Sequence, residues 1–266
     1  MKILDGLELA GYIKERQARQ VRALRQSQQI FPKLAIVRTI DDARIAAYVR
    51  LKKAYGNDIL IDVEEHFVRQ GEALELIKKL NAANDVTAII IQLPLADPAQ
   101  TEELLNAVDP KKDVDGLGKN AILQPATALS IMWLLDGYNI ELRGRKIVIV
   151  GRGRLVGAPL EKMLKELNLD VTVVTKETSG NEQVIRDADI LISAAGAPGL
   201  VKSDMIKIDA VVVDAGVATD KGKLVGDIDP AARERHDLTI TPEKGGVGPL
   251  TVCALFDNVI RAASLN

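Results

Sequence analysis

Tyr48 and Lys52 lie four residues apart in a stretch that reads as a helix, so a phenol and an amine share one helix face. Facing a cleft, a lysine there would have its pKa lowered by burial or a neighbouring cation and would serve as a proton carrier near neutral pH. Arg50 and Lys53 beside the pair favour the other reading, an exposed charged helix. Gln92 follows the apolar run Val86–Ile91, at the carboxyl end of a predicted buried strand, where ligands bind in open α/β sheets. Leu93 and Pro94 close that strand, and a loop glutamine is an equal reading of Gln92. Asp113 and Asp115 stand in a glycine-containing turn. Beside a cleft they would suit a donor-rich heterocycle, and either alone suits a local turn hydrogen bond.

A different chemistry is written in Lys146–Gly157. The β-branched run Ile147-Val148-Ile149-Val150 reads as a strand buried on both faces, glycines follow at 151, 153 and 157, and a helical pattern opens at Pro159. A strand, a glycine turn and a helix start make an anion cradle of backbone N–H groups at the helix's positive end. The spacing is GxGxxxG, and with a second strand at Asp170–Val174 it reads as a dinucleotide loop rather than a plain structural turn. In such a unit the end of the second strand meets the adenosine ribose. Lys176, 25 residues after Gly151, falls there and suits the 2′-phosphate of NADP, whereas Glu177 next to it would suit NAD.

These residues need elements to hold them. An amphipathic helix over residues 7–28 is followed by strands at Leu34–Val37, Ile59–Val63 and Val86–Ile91. Helices are expected at Ala43–Ala54, capped by Asp41-Asp42 and ended by Gly56, and at Ala73–Leu80 and Thr101–Ala107. Alternation of this kind predicts a parallel sheet covered on both faces. After the polar turn at 113–118, a helix at Ala126–Leu135 precedes four strands at 146–151, 170–174, 189–194 and 210–214. A second glycine-rich loop, Glu243–Pro249, leads into a final apolar helix, Val252–Ala263. The fold class is therefore two-domain α/β. An N-terminal α/β domain comprises residues 1–118 plus 249–266, and a Rossmann-like dinucleotide-binding domain comprises 119–248. The C-terminal helix is expected to pack back on the first domain.

Composition narrows the partners. A net charge of −2 and 3% aromatic residues supply neither the basic footprint nor the stacking platforms of a nucleic-acid binder. No apolar run approaches the ~18 residues of a membrane span. The acids in MKILDGLELA do not fit a signal peptide, and Cys253 as the only cysteine fits a reducing compartment, so a cytoplasmic location is expected. His66 and His236 lie too far apart for a metal site, and none is expected.

Taken together, the motifs resemble the bifunctional methylenetetrahydrofolate dehydrogenase/methenyltetrahydrofolate cyclohydrolase family. The resemblance rests on Tyr48–Lys52, Gln92–Leu95, Lys112–Leu117, Gly151–Pro159 and Gly245–Thr251, which occur in the family's order over nearly the whole chain. It implies a catalytic set of Lys52, Tyr48, Gln92 and Asp115. Tyr48 would lie over the folate, Gln92 would tune the lysine and Asp115 would hold the pterin. Leu93, Pro94, Gly245 and Pro249 would join the substrate site. Gly151, Arg152, Gly153, Val156, Gly157, Gly246 and Gly248 would hold the dinucleotide, and the Gly245–Thr251 loop would line the junction of the two sites. It further implies NADP as cofactor, with NAD possible, a folate substrate and a homodimer. The implied reaction is oxidation of methylenetetrahydrofolate to the methenyl compound and its hydrolysis to 10-formyltetrahydrofolate.

The chain departs from the family pattern in places. The usual GRS is Gly151-Arg152-Gly153, Pro-Cys-Thr-Pro is Pro125-Ala126-Thr127-Ala128, and Pro-Val-Pro is Pro242-Glu243-Lys244. The glycine and serine expected before Tyr48 are missing from residues 38–45, and His-Ser aligns with Thr175-Lys176. None of these removes Lys52, Gln92 or Asp115. They bear on cofactor preference and substrate affinity, and a non-catalytic or monofunctional folate- or nucleotide-binding relative is the alternative reading.

Overall fold

The structure, a computed structural model, describes residues 1–220 and 223–265. In chain order its elements are β1 (Lys2–Ile3), α1 (Gly6–Ser27), β2 (Lys33–Arg38), α2 (Ala43–Asp58), β3 (Asp62–Phe67), α3 (Gln70–Ala82), β4 (Ala88–Ile91), α4 (Thr101–Ala107) and α5 (Ala126–Gly137). Then come β5 (Ile147–Val150), α6 (Gly157–Glu166), β6 (Val171–Val174), α7 (Asn181–Arg186), β7 (Ile190–Ser193), β8 (Val211–Asp214), β9 (Ala218–Asp220), β10 (Lys223–Val225), β11 (Thr239–Ile240) and α8 (Val247–Leu265). Two compact units result, one of Gly11–Ala126 with Val252–Asn266, the other of Met1–Ala10 with Thr127–Thr251.

The first unit is built on a parallel sheet in the order β3-β2-β4. Its middle strand is buried along Leu34–Val37 and its neighbour β4 along Ala88–Ile91, which is why both run unbroken in apolar residues. Val37 and Ile91 are in register, and the Gln92 amide donates to the Val37 carbonyl at 2.8 Å, so the sheet fixes where Gln92 leaves it. One face packs Ala73, Ile77 and Leu80 of α3 and Leu104 and Leu105 of α4. Asp42 caps α2, accepting from the amides of Arg44 and Ile45 as its place in the sequence predicts. The C-terminal helix packs on α1 and α2: Gln17 donates to the Cys253 carbonyl at 2.8 Å, and the Tyr55 and Phe256 rings stack 4.9 Å apart.

Two expectations change here. Gly56 does not end α2, which runs on to Asp58. A Cβ at Gly56 would stand 2.5 Å from Val63 and 2.8 Å from the Ile61 carbonyl, so this glycine serves close packing of helix on strand. The following strand is therefore Asp62–Phe67 rather than Ile59–Val63. Ile59 closes the helix and Leu60 turns the chain with φ +65°.

The second unit carries a six-stranded parallel sheet in the order β1-β11-β8-β7-β5-β6. The four expected strands form its centre and one edge, within a residue of their predicted limits. β1 and β11 extend the other edge, and β9 and β10 pair antiparallel as a separate ribbon. Met1–Ala10, assigned from sequence to the first domain, lie in this unit because Lys2 and Ile3 pair with Thr239 and Ile240. The unit boundaries fall at Thr127 and Thr251, not at 119 and 248. The last helix starts earlier than expected, at Val247, so Val247, Gly248 and Pro249 form its first turn rather than a loop.

Candidate functional site

In the first unit the sheet and α2 bring three of the nominated residues together. The Lys52 ammonium donates to Gln92 Oε1 at 2.7 Å, and the Gln92 amide nitrogen donates onward to the Leu93 carbonyl at 3.1 Å. The glutamine is thus held with its oxygen toward the lysine. The Leu93–Pro94 peptide is cis. Burial holds the Lys52 amine below the ordinary lysine range, with the Asp115 charge opposing that shift. Burial likewise pushes the Asp115 carboxyl up to about 6, against the pull of Lys52 and with help from Asp113. A lysine whose pKa is lowered near a carboxyl whose pKa is raised is an arrangement suited to proton transfer. Tyr48 stands one turn before Lys52 on α2 with 41% of its surface exposed, open to a flat ligand.

Asp113 has a different task from Asp115. It is buried and accepts from the amides of Gly116 at 3.0 Å and Gly118 at 2.8 Å, closing the turn that presents Asp115. The buried Asn258 of α8 donates to the carbonyls of Val114 at 2.9 Å and Gln124 at 2.8 Å and anchors both ends of the same segment.

In the second unit the chain after β5 forms the glycine turn. Gly151 has φ +97°, and a Cβ on it would stand 2.7 Å from the Ala194 carbonyl. One on Gly157 would stand 2.1 Å from the Gly151 carbonyl. Both positions therefore exclude a side chain. Gly153, by contrast, is open: the nearest atom to its Cβ position is 4.0 Å away. α6 begins at Val156-Gly157 without a side-chain cap, and the Ala158 amide donates to the Gly153 carbonyl at 3.1 Å, closing the glycine turn onto the helix start. A tight turn, an open hollow at Gly153 and an uncapped helix start fit a pyrophosphate. Gly157→Ala should cost about 1–3 kcal/mol of stability, read as a lower urea midpoint, together with loss of dinucleotide binding. An unchanged midpoint would contradict this packing.

Lys176 is exposed beyond the end of β6. Glu177 turns back, accepting from Thr175 Oγ1 at 2.6 Å, so its carboxylate is engaged within its own loop. Arg152, in the glycine turn, is paired with Glu161. Gly245 (φ +86°) and Gly246 lie against the start of α1: the Leu7 amide donates to the Gly245 carbonyl at 2.9 Å.

A family model described as the tetrahydrofolate dehydrogenase/cyclohydrolase catalytic domain matches residues 4–115. Its companion, the NAD(P)-binding domain of the same family, matches residues 125–266. The chain belongs to the tetrahydrofolate dehydrogenase/cyclohydrolase family. It is 38% identical over 273 residues to the bifunctional protein FolD of Lactobacillus acidophilus, spanning 98% of this chain and 96% of that one. The solved bifunctional FolD methylenetetrahydrofolate dehydrogenase/cyclohydrolase of Campylobacter jejuni superposes with a TM-score of 0.94 at 33% identity, covering 100% of this chain and 99% of that one. The Trypanosoma brucei enzyme complexed with NADP and an inhibitor superposes with a TM-score of 0.91 at 30% identity, covering 99% and 97%.

Against the family pattern, sequence reasoning passed over the buried carboxylates of the second unit. Asp227 accepts from Ser193 Oγ at 2.7 Å and from the amides of Ala195 at 2.7 Å, Gly196 at 3.2 Å and Ala197 at 2.7 Å. It thereby fixes the loop against which Gly151 packs. Asp214 accepts in turn from the Asp227 and Ile228 amides and from Arg233. Asp214 ends an apolar strand and Asp227 follows a glycine; neither carries a spacing signal. Among the described residues no group of acids, histidines and cysteine could hold a metal ion, and no helix is long and apolar enough to cross a membrane.

Proposed function

We propose that this family member catalyses both reactions its relatives are named for. It oxidises 5,10-methylenetetrahydrofolate to the methenyl compound, then hydrolyses that to 10-formyltetrahydrofolate. The observation that carries this reading is the Lys52 amine, depressed in pKa and hydrogen-bonded to Gln92 near the Asp115 carboxyl, whose own pKa burial raises. NADP, when bound, accepts the hydride from the methylene carbon; the adjacent nitrogen lone pair supports the resulting cation, so this step asks the protein for positioning. Asp115 accepts from the pterin's amino and ring N–H groups, Tyr48 lies over the folate, and Gln92 keeps the lysine in place. In the second step water adds to the methenyl carbon and the neutral Lys52 amine takes a proton from it. The carbon–nitrogen bond to N5 then breaks as the formyl C=O forms, N5 gains a proton, and one proton is released overall. Hydrolysis of methenyltetrahydrofolate supplied without nucleotide, well above the uncatalysed rate, is the expected result. A rate equal to background would remove the cyclohydrolase half of the proposal.

NADP is the preferred cofactor in this reading. Lys176 offers a cation at the ribose end of β6, and Glu177 is engaged by Thr175. A charge-assisted contact contributes roughly 1.5–3 kcal/mol, about ten- to a hundredfold in affinity. Lys176→Ala should therefore weaken NADP binding by about that factor and leave NAD binding in place; tighter NAD binding by the unaltered protein would reverse the assignment. We further read the enzyme as cytoplasmic, from its N-terminal sequence and single cysteine, and as a homodimer, as the resemblance implies. Light scattering that gave the mass of a single chain would contradict the dimer.

A further inference from the structure

Glu161 lies in α6, just beyond the glycine turn, and has only 10% of its side chain exposed. Arg152 directs Nε to one of its carboxylate oxygens at 2.8 Å, and Lys165 directs Nζ to the other at 2.6 Å. Lys165 first, then Arg152, hold the Glu161 carboxyl below its usual range against the effect of burial. The carboxylate is thus fixed by the helix, whereas Arg152 is a long side chain with 62% exposure. A guanidinium held through Nε still presents both Nη groups, the edge that meets a phosphate with two parallel hydrogen bonds.

We propose that Glu161 is a positioning residue for cofactor selectivity, holding Arg152 through Nε so that its two Nη groups face the ribose 2′-phosphate. The proposal rests on the NADP reading above and adds to it a residue on a different element from Lys176. The trio of Arg152, Glu161 and Lys165 keeps one net positive charge, so orientation is gained without losing attraction. Both Glu161 oxygens are taken up by cations, Arg152 at 2.8 Å and Lys165 at 2.6 Å, so the carboxylate leaves no net negative charge beside the phosphate.

Calorimetric titration of the full chain at that ionic strength tests this, with adenosine 2′,5′-bisphosphate and 5′-AMP as probes. The unaltered protein should bind the bisphosphate at least about tenfold more tightly than 5′-AMP, the order of one charge-assisted contact. Glu161→Ala should lose about five- to tenfold for the bisphosphate and stay within about twofold for 5′-AMP, the loss one weakened ionic contact predicts. Glu161→Gln, which keeps an acceptor for Nε, should lose less. In an Arg152→Ala background Glu161→Ala should add little, because the two act as one unit. Unchanged or tighter bisphosphate binding by Glu161→Ala would overturn the proposal, and so would equal losses for both probes, which would mark Glu161 as a fold residue. An unaltered protein without preference for the bisphosphate would overturn the cofactor reading and this proposal together. A preference that survives Glu161→Ala would remove only Glu161.

Discussion

Lys52→Met should abolish hydrolysis of methenyltetrahydrofolate while leaving the fold intact. Methionine keeps much of the stem's volume and removes the amine, so α2 keeps its packing and Gln92 loses only the partner at 2.7 Å. A positioned acid–base group contributes about 10²–10⁴ in rate, and the loss should fall in that range. Burial lowers the lysine's pKa, so hydrolysis by the unaltered enzyme should rise with pH as the amine becomes neutral. The variant should show no such limb. Hydride transfer needs no proton carrier, so the dehydrogenase step should suffer less than the hydrolysis. Near-normal hydrolysis in Lys52→Met, with an unchanged circular dichroism spectrum, would assign the proton transfer to another group.

Asp115→Ala should weaken folate binding by about ten- to a hundredfold, the equivalent of roughly 1.5–3 kcal/mol for a charged acceptor, with dinucleotide affinity preserved. The pH dependence carries its own sign. The Asp115 carboxyl lies at about 6, so lowering pH through that value converts it from acceptor to acid, and folate affinity should fall on the acid side. Asp115→Asn should flatten that limb. Equal losses of folate and dinucleotide affinity in Asp115→Ala would instead make Asp115 a turn residue like Asp113, which closes the same turn onto Gly116 and Gly118.

The parts legible in the sequence are those whose burial pattern is local. Ile147–Val150 and Ala88–Ile91 are buried on every residue, and a β-branched run leaves little else for them to be. The sequence misplaces β3 because four of its six residues are polar and its ends are exposed at a sheet edge, whereas the apolar Ile59–Ile61 beside it belongs to the helix end and turn. β1 and β11, two residues each, are too short to show a period and are defined by their pairing alone, β1 on β11 and β11 on β8. The same division holds for the site. Residue type and place leave Lys52, Gln92 and Asp115 with structural readings, and only the family resemblance singles them out; the hydrogen bond joining the first two depends on the β2–β4 register and the path of α2. In the sequence Glu161 is a helix acid with a lysine four residues on, a spacing shared by ordinary surface pairs. Its second partner, Arg152, comes from the turn before the helix and becomes visible only once Gly151 and Gly157 are packed together.

The most direct measurement of the central claim supplies the unaltered chain with 5,10-methylenetetrahydrofolate and NADP, and in parallel with NAD. Reduced nicotinamide, the methenyl chromophore and 10-formyltetrahydrofolate are followed in one reaction. The expected result is reduced nicotinamide forming faster with NADP, with the methenyl signal passing into 10-formyltetrahydrofolate faster than its uncatalysed hydrolysis. No reduced nicotinamide with either nucleotide, from protein that is folded, would contradict the account.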